Sequence, residues 1–444
     1  MQLIKTHRER IKTLFIVLLS VSAVILGLST GLFGAPSLAG RQSPAQAIDS
    51  GRPWDQRGHL QPAARPSAAL ANLGNGALQG HQMDWQAGSP VNEGLSTLYD
   101  IFAGHLGEAL GSSGPSEPAT RAEWEAALLT EGIFFRYDVE LTGAIFARWF
   151  GTEAGGASGP MQQFYLSARP DAVYLYYMGR DGSPYRSVTA VRSEDILEIL
   201  ASLTPNGARF GFLEPAYVGT DPDAVLLPLH SGIPVIAGYN AVGRVYAQQD
   251  TFLEALGMTP ALVRSMDEGG IRTIVEGGTT LHIQENGLLL YQCQSQHPRL
   301  SVDTLGAPDL SQAIETARQI VQVLRLLSDE AEIWLTHWHY ADDQFVLEFG
   351  YYLAGVPIWT MVPAAQVVIT GRHVTEVTLL ARAFYQTGLT APVMPEIQAA
   401  AAANEVPLRL TYALIEGNAI PLDGTSVELV ARWLLVSGSE DRDG

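Results

Sequence analysis

Twenty consecutive residues, Leu14–Phe33, carry no charge. A run of about 20 apolar residues is long enough to cross a bilayer as a helix. No amphipathic stripe breaks it, which separates it from a helix buried in a globular core. Lys5, Arg8, Arg10 and Lys12 precede it, with Glu9 as the single acid. Positive charge stays on the cytoplasmic side of a membrane, so the expected orientation is N-terminus inside and remainder outside. Of 27 basic and 46 acidic residues, four and one lie before the run, which leaves −22 on everything after it. A cleaved signal peptide is the competing reading, with Ser37-Leu38-Ala39 as a small-residue cleavage site. The length favours a retained anchor, because signal peptides have apolar regions of about 7–15 residues. No comparable apolar run follows, so the expected topology is single-pass. Within the span, Ser20, Ala23 and Gly27 fall on one helix face and Gly31 extends it. Small residues let helices approach closely in lipid, which makes these four the expected partner-contact residues.

The acidic balance argues against nucleic acid, whose phosphates require a basic surface. Lys5 and Lys12 are the only lysines, so no later lysine serves a Schiff base or a phosphate loop. Cys293 is the only cysteine, which excludes an intramolecular disulfide framework and any multi-cysteine metal site.

Patterning beyond the anchor predicts an α+β chain with antiparallel sheets and a few helices. Residues 1–13 are expected as a cytoplasmic tail and 14–33 as the transmembrane helix. Residues 34–92, rich in Ala, Gly, Pro, Gln and Ser, are expected as a flexible stalk. A mostly helical subdomain is expected over 93–159. It holds one helix over Glu93–Leu110 and a second opened by the capping box Thr120/Glu123. Gly151–Gly159 reads as a flexible joint. A central α+β domain is expected over 160–304, with strands such as Ala172–Met178, Arg272–Glu276, Thr280–Gln284 and Leu288–Cys293, and a short helix capped by Ser193. The last domain, 305–444, opens with a helix over Asp309–Leu327 and continues as strands around a short Ala-rich helix at Met394–Asn404. No strand–helix–strand alternation of parallel type persists.

The sharpest chemical motif is Thr336-His337-Trp338-His339-Tyr340-Ala341-Asp342-Asp343. It resembles the H-x-H-x-D-H zinc pattern of metallo-β-lactamases, in which imidazoles and a carboxylate hold an activated water. The register differs: Ala341 stands where the Asp belongs and Asp342 where the next His belongs, and downstream only His373 remains. Two histidines on one strand face before a hairpin turn explain the segment better. No G-x-S-x-G elbow, G-x-G-x-x-G or G-K-[ST] occurs, and His230-Ser231 has no acid partner at recognisable spacing. Cys293 lies in an apolar strand without a basic sequence neighbour, as a buried small side chain does. No catalytic, metal or cofactor residue is therefore expected.

Three segments, Glu123-Trp-Glu-Ala-Ala-Leu128, Gly132-Ile-Phe-Phe135 and Ala147-Arg-Trp-Phe150, resemble a signature region of YycH-like proteins. Phe349-Gly-Tyr-Tyr-Leu-Ala-Gly-Val-Pro357 resembles the Tyr-rich hairpin of YycH and YycI proteins, and Ala365–Thr370, Val374–Ala381 and Pro395–Ala400 fit the same module. The resemblance implies a non-enzymatic extracytoplasmic regulator of the WalK/YycG sensor histidine kinase of Gram-positive bacteria. The implied partners are that kinase and a YycI-like companion. The long Ala/Gly/Pro lead-in and the loss of lysine depart from the family. Two rivals carry different chemistry: an exported metal-dependent hydrolase built on His337, His339 and Asp342, and a PepSY-like envelope inhibitor or assembly protein.

Overall fold

The computed structural model describes residues 62–435 apart from 85–93, 216, 218–220, 228–231, 296–297, 305, 329, 403–407, 415–417, 421 and 423–425. The Leu14–Phe33 run lies outside the described residues, and none of the described helices is long and apolar enough to cross a membrane.

Three antiparallel sheets carry the fold. The first contains β1 (Pro66–Asn72), β2 (Leu78–His81), β3 (Glu117–Pro118), β4 (Gly132–Thr142), β5 (Pro160–Ala168), β6 (Val173–Met178) and β7 (Pro184–Val188), in the order β2-β1-β4-β5-β6-β7-β3. A short pair, β8 (Arg209–Phe210) and β9 (Val225–Leu226), lies apart from it in the pairing. Next along the chain come β10 (Ile233–Asn240), β11 (Arg264–Glu268), β12 (Ile271–Glu276), β13 (Thr279–Gln284) and β14 (Leu288–Cys293). The C-terminal strands are β15 (Glu332–Ala341), β16 (Gln344–Leu353), β17 (Val356–Pro357), β18 (Ala365–Thr370), β19 (His373–Leu380), β20 (Arg382–Ala391), β21 (Leu408–Leu414) and β22 (Val427–Leu435). Nine of these form one sheet, β11-β12-β13-β14-β19-β18-β16-β15 with β17 paired to β16. Four form another, β20-β10-β22-β21.

The helices cover the sheets. In chain order they are α1 (Leu95–Ser112), α2 (Arg121–Leu128), α3 (Gly143–Trp149), α4 (Ser193–Ser202), α5 (Val242–Ala247), α6 (Gln249–Ala255), α7 (Leu310–Val321) and α8 (Glu396–Ala402). Side chains alternate across β4, and its two faces serve different cores. Phe135 and Tyr137 join Phe102 of α1 and Phe146 of α3 in the main core. Phe134 joins Trp124 of α2, Phe210 and Val225 in a second one. The main core continues through Leu281, Leu289, Val377 and Leu347 of the nine-stranded sheet, under Phe252 of α6 and Ile314 of α7.

Several expected elements match. The Thr120 hydroxyl accepts from the Glu123 N–H and the Glu123 carboxylate accepts from Thr120, completing the capping box of α2. Asp309 and Gln312 form a second one at α7. That helix ends at Val321 and tightens to a 3-10 turn over Gln322–Leu326. At α4 the cap differs: Arg192 is the cap residue, and the Ser193 hydroxyl donates to the Arg169 carbonyl instead.

Larger corrections concern domains. Within the expected stalk, Pro66–Asn72 and Leu78–His81 are buried strands of the first sheet, and β1 pairs with both β2 and β4. The β1–β4 ladder crosses the expected boundary at 92/93, and the two later boundaries are crossed by strand ladders as well. β4 pairs with β5 across residue 160, with Ile133 opposite Leu166. Across residue 305, β14 pairs with β19, and β10 pairs with both β20 and β22. Gly151–Gly159 is tied down rather than a free joint. The Gly155 and Gly156 N–H groups donate to Leu110 and Ser113 carbonyls at 2.9 and 2.8 Å. A Cβ on Gly156 would stand 2.0 Å from the Gly114 oxygen, so glycine serves close backbone approach there.

Candidate functional site

Ser20, Ala23, Gly27 and Gly31 lie outside the described residues. The histidine pair is placed by a hairpin. A bulge falls between Leu335 and His337, after which His337 stands opposite Glu348 and His339 opposite Val346. The two imidazole rings are 5.9 Å apart. Asp342 and Asp343 form the two-residue turn between β15 and β16, with φ of 51° and 61°. That left-handed turn matches the twist of the hairpin. The Tyr340 hydroxyl donates to the Asp343 carboxylate at 3.1 Å. His373 is three strand positions away, along Ala341–Gln344–Thr370–His373, or about 14 Å at the usual strand spacing. Among the described residues no three His, Cys, Asp or Glu side chains group closely enough to hold a metal ion. His339 is exposed and His337 half-buried, so replacing both with Ala should leave stability within about 1 kcal/mol. Denaturant unfolding checks this, and loss of function in a folded double variant would count against a surface role. Cys293 is buried, with the Thr279 hydroxyl 3.4 Å from its sulfur.

A polar cleft among the described residues was not marked by any motif. It has a volume of about 220 Å³ and lies where β4, β21, the start of α8 and the Asp221–Val225 segment converge. Arg136 and Asp138 are two residues apart on β4 and so project from one face. Arg136 Nη1 donates to Asp221 Oδ2 at 2.6 Å. Arg409 of β21 donates to Asp138 Oδ2 and, at 3.0 Å, to the Tyr352 hydroxyl. That hydroxyl lies 3.2 Å from Asp138. Glu396 is 4 % exposed. Its Oε2 accepts from Gln82 Nε2 at 3.2 Å and from the Leu227 N–H at 3.4 Å. Gln82 also donates to the Val225 carbonyl.

Burial and charge pairing compete in the cleft, and burial wins at Glu396. It pushes the Glu396 carboxyl up to about 8, against the pull of the Leu227 N–H and Gln82, and the Asp221 charge adds to the rise. Burial lowers the Arg136 guanidinium, but Asp221 and its acidic neighbours outweigh it and hold the group above its ordinary value. The same balance, with Asp138 as the main partner, raises Arg409. With Glu396 neutral, two guanidinium groups face two carboxylates. Ionisation of Glu396 adds one negative charge. The cleft thus offers paired charges, hydrogen-bond donors and acceptors, and one carboxyl that exchanges its proton in the physiological range. Among the described residues Ser67 is the one serine lining it, and that Oγ is directed to the Arg136 carbonyl at 3.3 Å.

One signal in the sequence marked these positions. Arg136 and Asp138 interrupt the apolar strand Ile133–Val139, and Arg409 interrupts Leu408–Leu414. A charge inside an apolar strand demands a buried partner. Nothing local says which partner.

The described residues therefore make an α+β body of antiparallel sheets with a charge-paired polar cleft. No protein family, curated protein or solved structure matches the chain.

Proposed function

We propose that the chain is a non-enzymatic, single-pass regulator, with the α+β body outside the cytoplasm and a sensor histidine kinase of the WalK/YycG type as its partner. The observation that carries this is the uncharged Leu14–Phe33 run, preceded by four basic residues and followed by a chain of −22. Its resemblance to YycH and YycI proteins supplies the partner class, including a YycI-like companion. The segments bearing that resemblance serve packing. Trp124 is buried in the second core and donates to Asp223 at 2.9 Å, and Phe349–Leu353 forms the buried end of β16. Both guanidinium groups of the cleft are committed to carboxylates that join distant elements, which is a structural use of those charges.

The test is made in membranes. Full-length chain should remain in the membrane fraction, and a soluble product beginning near Gly40 would overturn the anchor. Small residues allow close helix packing in lipid. Changing Ala23 and Gly27 to Leu should therefore preserve insertion while abolishing co-purification of the kinase and shifting its output. Unchanged association and output would place the contact in the body alone.

A further inference from the structure

Among the described residues, the nine-stranded sheet ends on a strand whose other edge is unpaired. All five residues of β11, Arg264-Ser-Met-Asp-Glu268, are exposed. Among the described residues only β12 pairs with it. Exposed apolar side chains gather on its outer face: Met266 at 59 % exposure, with Ile271 and Val275 on β12 opposite Glu268 and Arg264. Open edges of this kind invite another strand, and proteins ordinarily block them with charge.

Here the charges are self-complementary. Gly269 and Gly270 make a two-residue turn with φ of 57° and 79°, closing on the pair Glu268–Ile271. Such a turn closes on a hydrogen-bonded pair, after which hydrogen-bonded and open pairs alternate. The backbone groups of Arg264, Met266 and Glu268 thus face β12, and those of Ser265 and Asp267 face outward. A second β11, added antiparallel, can oppose outward residues in three registers. Asp267 against Asp267 juxtaposes like charges. Ser265 against Ser265 leaves Arg264 opposite a methionine. Ser265 against Asp267 sets Arg264 opposite Glu268 twice, with the two Met266 side chains meeting on the twofold axis. Asp267 keeps its two bonds to Arg272, at 2.7 and 2.9 Å, on the opposite face of the strand.

We propose that β11 is a homodimer surface, occupied by β11 of a second copy of this chain in the Ser265–Asp267 register. The contact is isologous, so each charge pair occurs twice. It stands independently of the regulatory reading.

The test uses full-length chain purified in detergent. Met266→Cys puts two thiols at a non-hydrogen-bonded antiparallel pair, about 4.5 Å between Cα atoms, which a disulfide can bridge. Mild oxidation should give a covalent dimer, while Ser265→Cys and the parent chain, whose Cys293 is buried, should remain monomeric on a reducing-agent-free gel. In sedimentation, Arg264→Glu and Glu268→Arg should each weaken self-association roughly tenfold, since each creates two like-charge pairs. Combining them should restore the parent affinity. A Met266→Cys chain that stays monomeric, a Ser265→Cys chain that crosslinks faster, or a double variant weaker than either single would overturn the proposal. All these positions are exposed, and circular dichroism confirms the fold of each variant.

Discussion

Replacing Arg65 with methionine should lower stability by roughly 3 kcal/mol in denaturant unfolding, the low end for breaking a buried ion pair. The side chain is 8 % exposed and bridges three elements. Nη1 donates to Glu332 Oε2 of β15 at 2.7 Å, and Nη2 donates to Asp84 Oδ2 at 2.9 Å and to the Ser96 hydroxyl of α1 at 3.4 Å. Without the guanidinium, two carboxylates remain facing an apolar side chain. Both are 28 % exposed, so water recovers part of the loss. Lysine should not rescue, because a single ammonium cannot reproduce the fork that spans both acids. Burial raises the Asp84 carboxyl, but Arg65 and the Ser96 N–H outweigh it and hold the group below its ordinary value. Stability linked to that depression is present above the unfolded carboxylate value and is lost as pH falls through the folded one. The methionine variant should therefore lose part of the parent chain's sensitivity in that acid window. A variant as stable as the parent, with the same acid limb, would refute the bridging role.

The second large effect is a loss of stability as pH rises from mildly acidic to about 8, set by Glu396. Its ordinary value is 4.5, and burial raises it to about 8 in the fold. Between those values the folded chain keeps a proton that the unfolded chain has released. Stability must fall as pH rises through that window and level off above 8. This one carboxyl accounts for a decline of roughly 3–5 kcal/mol. Glutamine mimics the protonated form, so Glu396→Gln should match the parent near pH 5, exceed it increasingly toward pH 8 and keep a constant advantage above that. Unfolding curves at several pH values check this through the difference between the two chains. Parallel curves would show that Glu396 ionises freely in the fold.

Local elements were legible where the physics is local. Thr120 with Glu123 and Asp309 with Gln312 announce helix starts, because a cap and its reciprocal acceptor lie within one turn. The three-stranded meander β12–β13–β14 was legible from its strand patterning and glycine turns. β1 was not. Pro66-Ser-Ala-Ala-Leu-Ala-Asn72 looks like linker by composition, yet Ala69, Leu70 and Ala71 are fully buried. A strand covered on both faces shows no alternation, and small side chains fit between α1 on one side and the second core on the other. The glycines of 151–159 misled in the same way. They suggest freedom, but Gly155 and Gly156 sit where Ser113 and Gly114 leave no room for a side chain.

By itself, the sequence determined most of the local elements past residue 93, the Thr120/Glu123 capping box, the antiparallel α+β class and the strong charge asymmetry about Leu14–Phe33. These follow from interactions within a few residues or from summed composition. Tertiary structure alone decided which charges meet. Arg409 and Asp138 are 271 residues apart, Gln82 and Glu396 are 314 apart, and Arg65 and Glu332 are 267 apart. A buried charge states in sequence that a partner is needed. The packing of three sheets whose strands come from distant parts of the chain selects that partner, because only there do desolvation and Coulomb attraction act on the same pair.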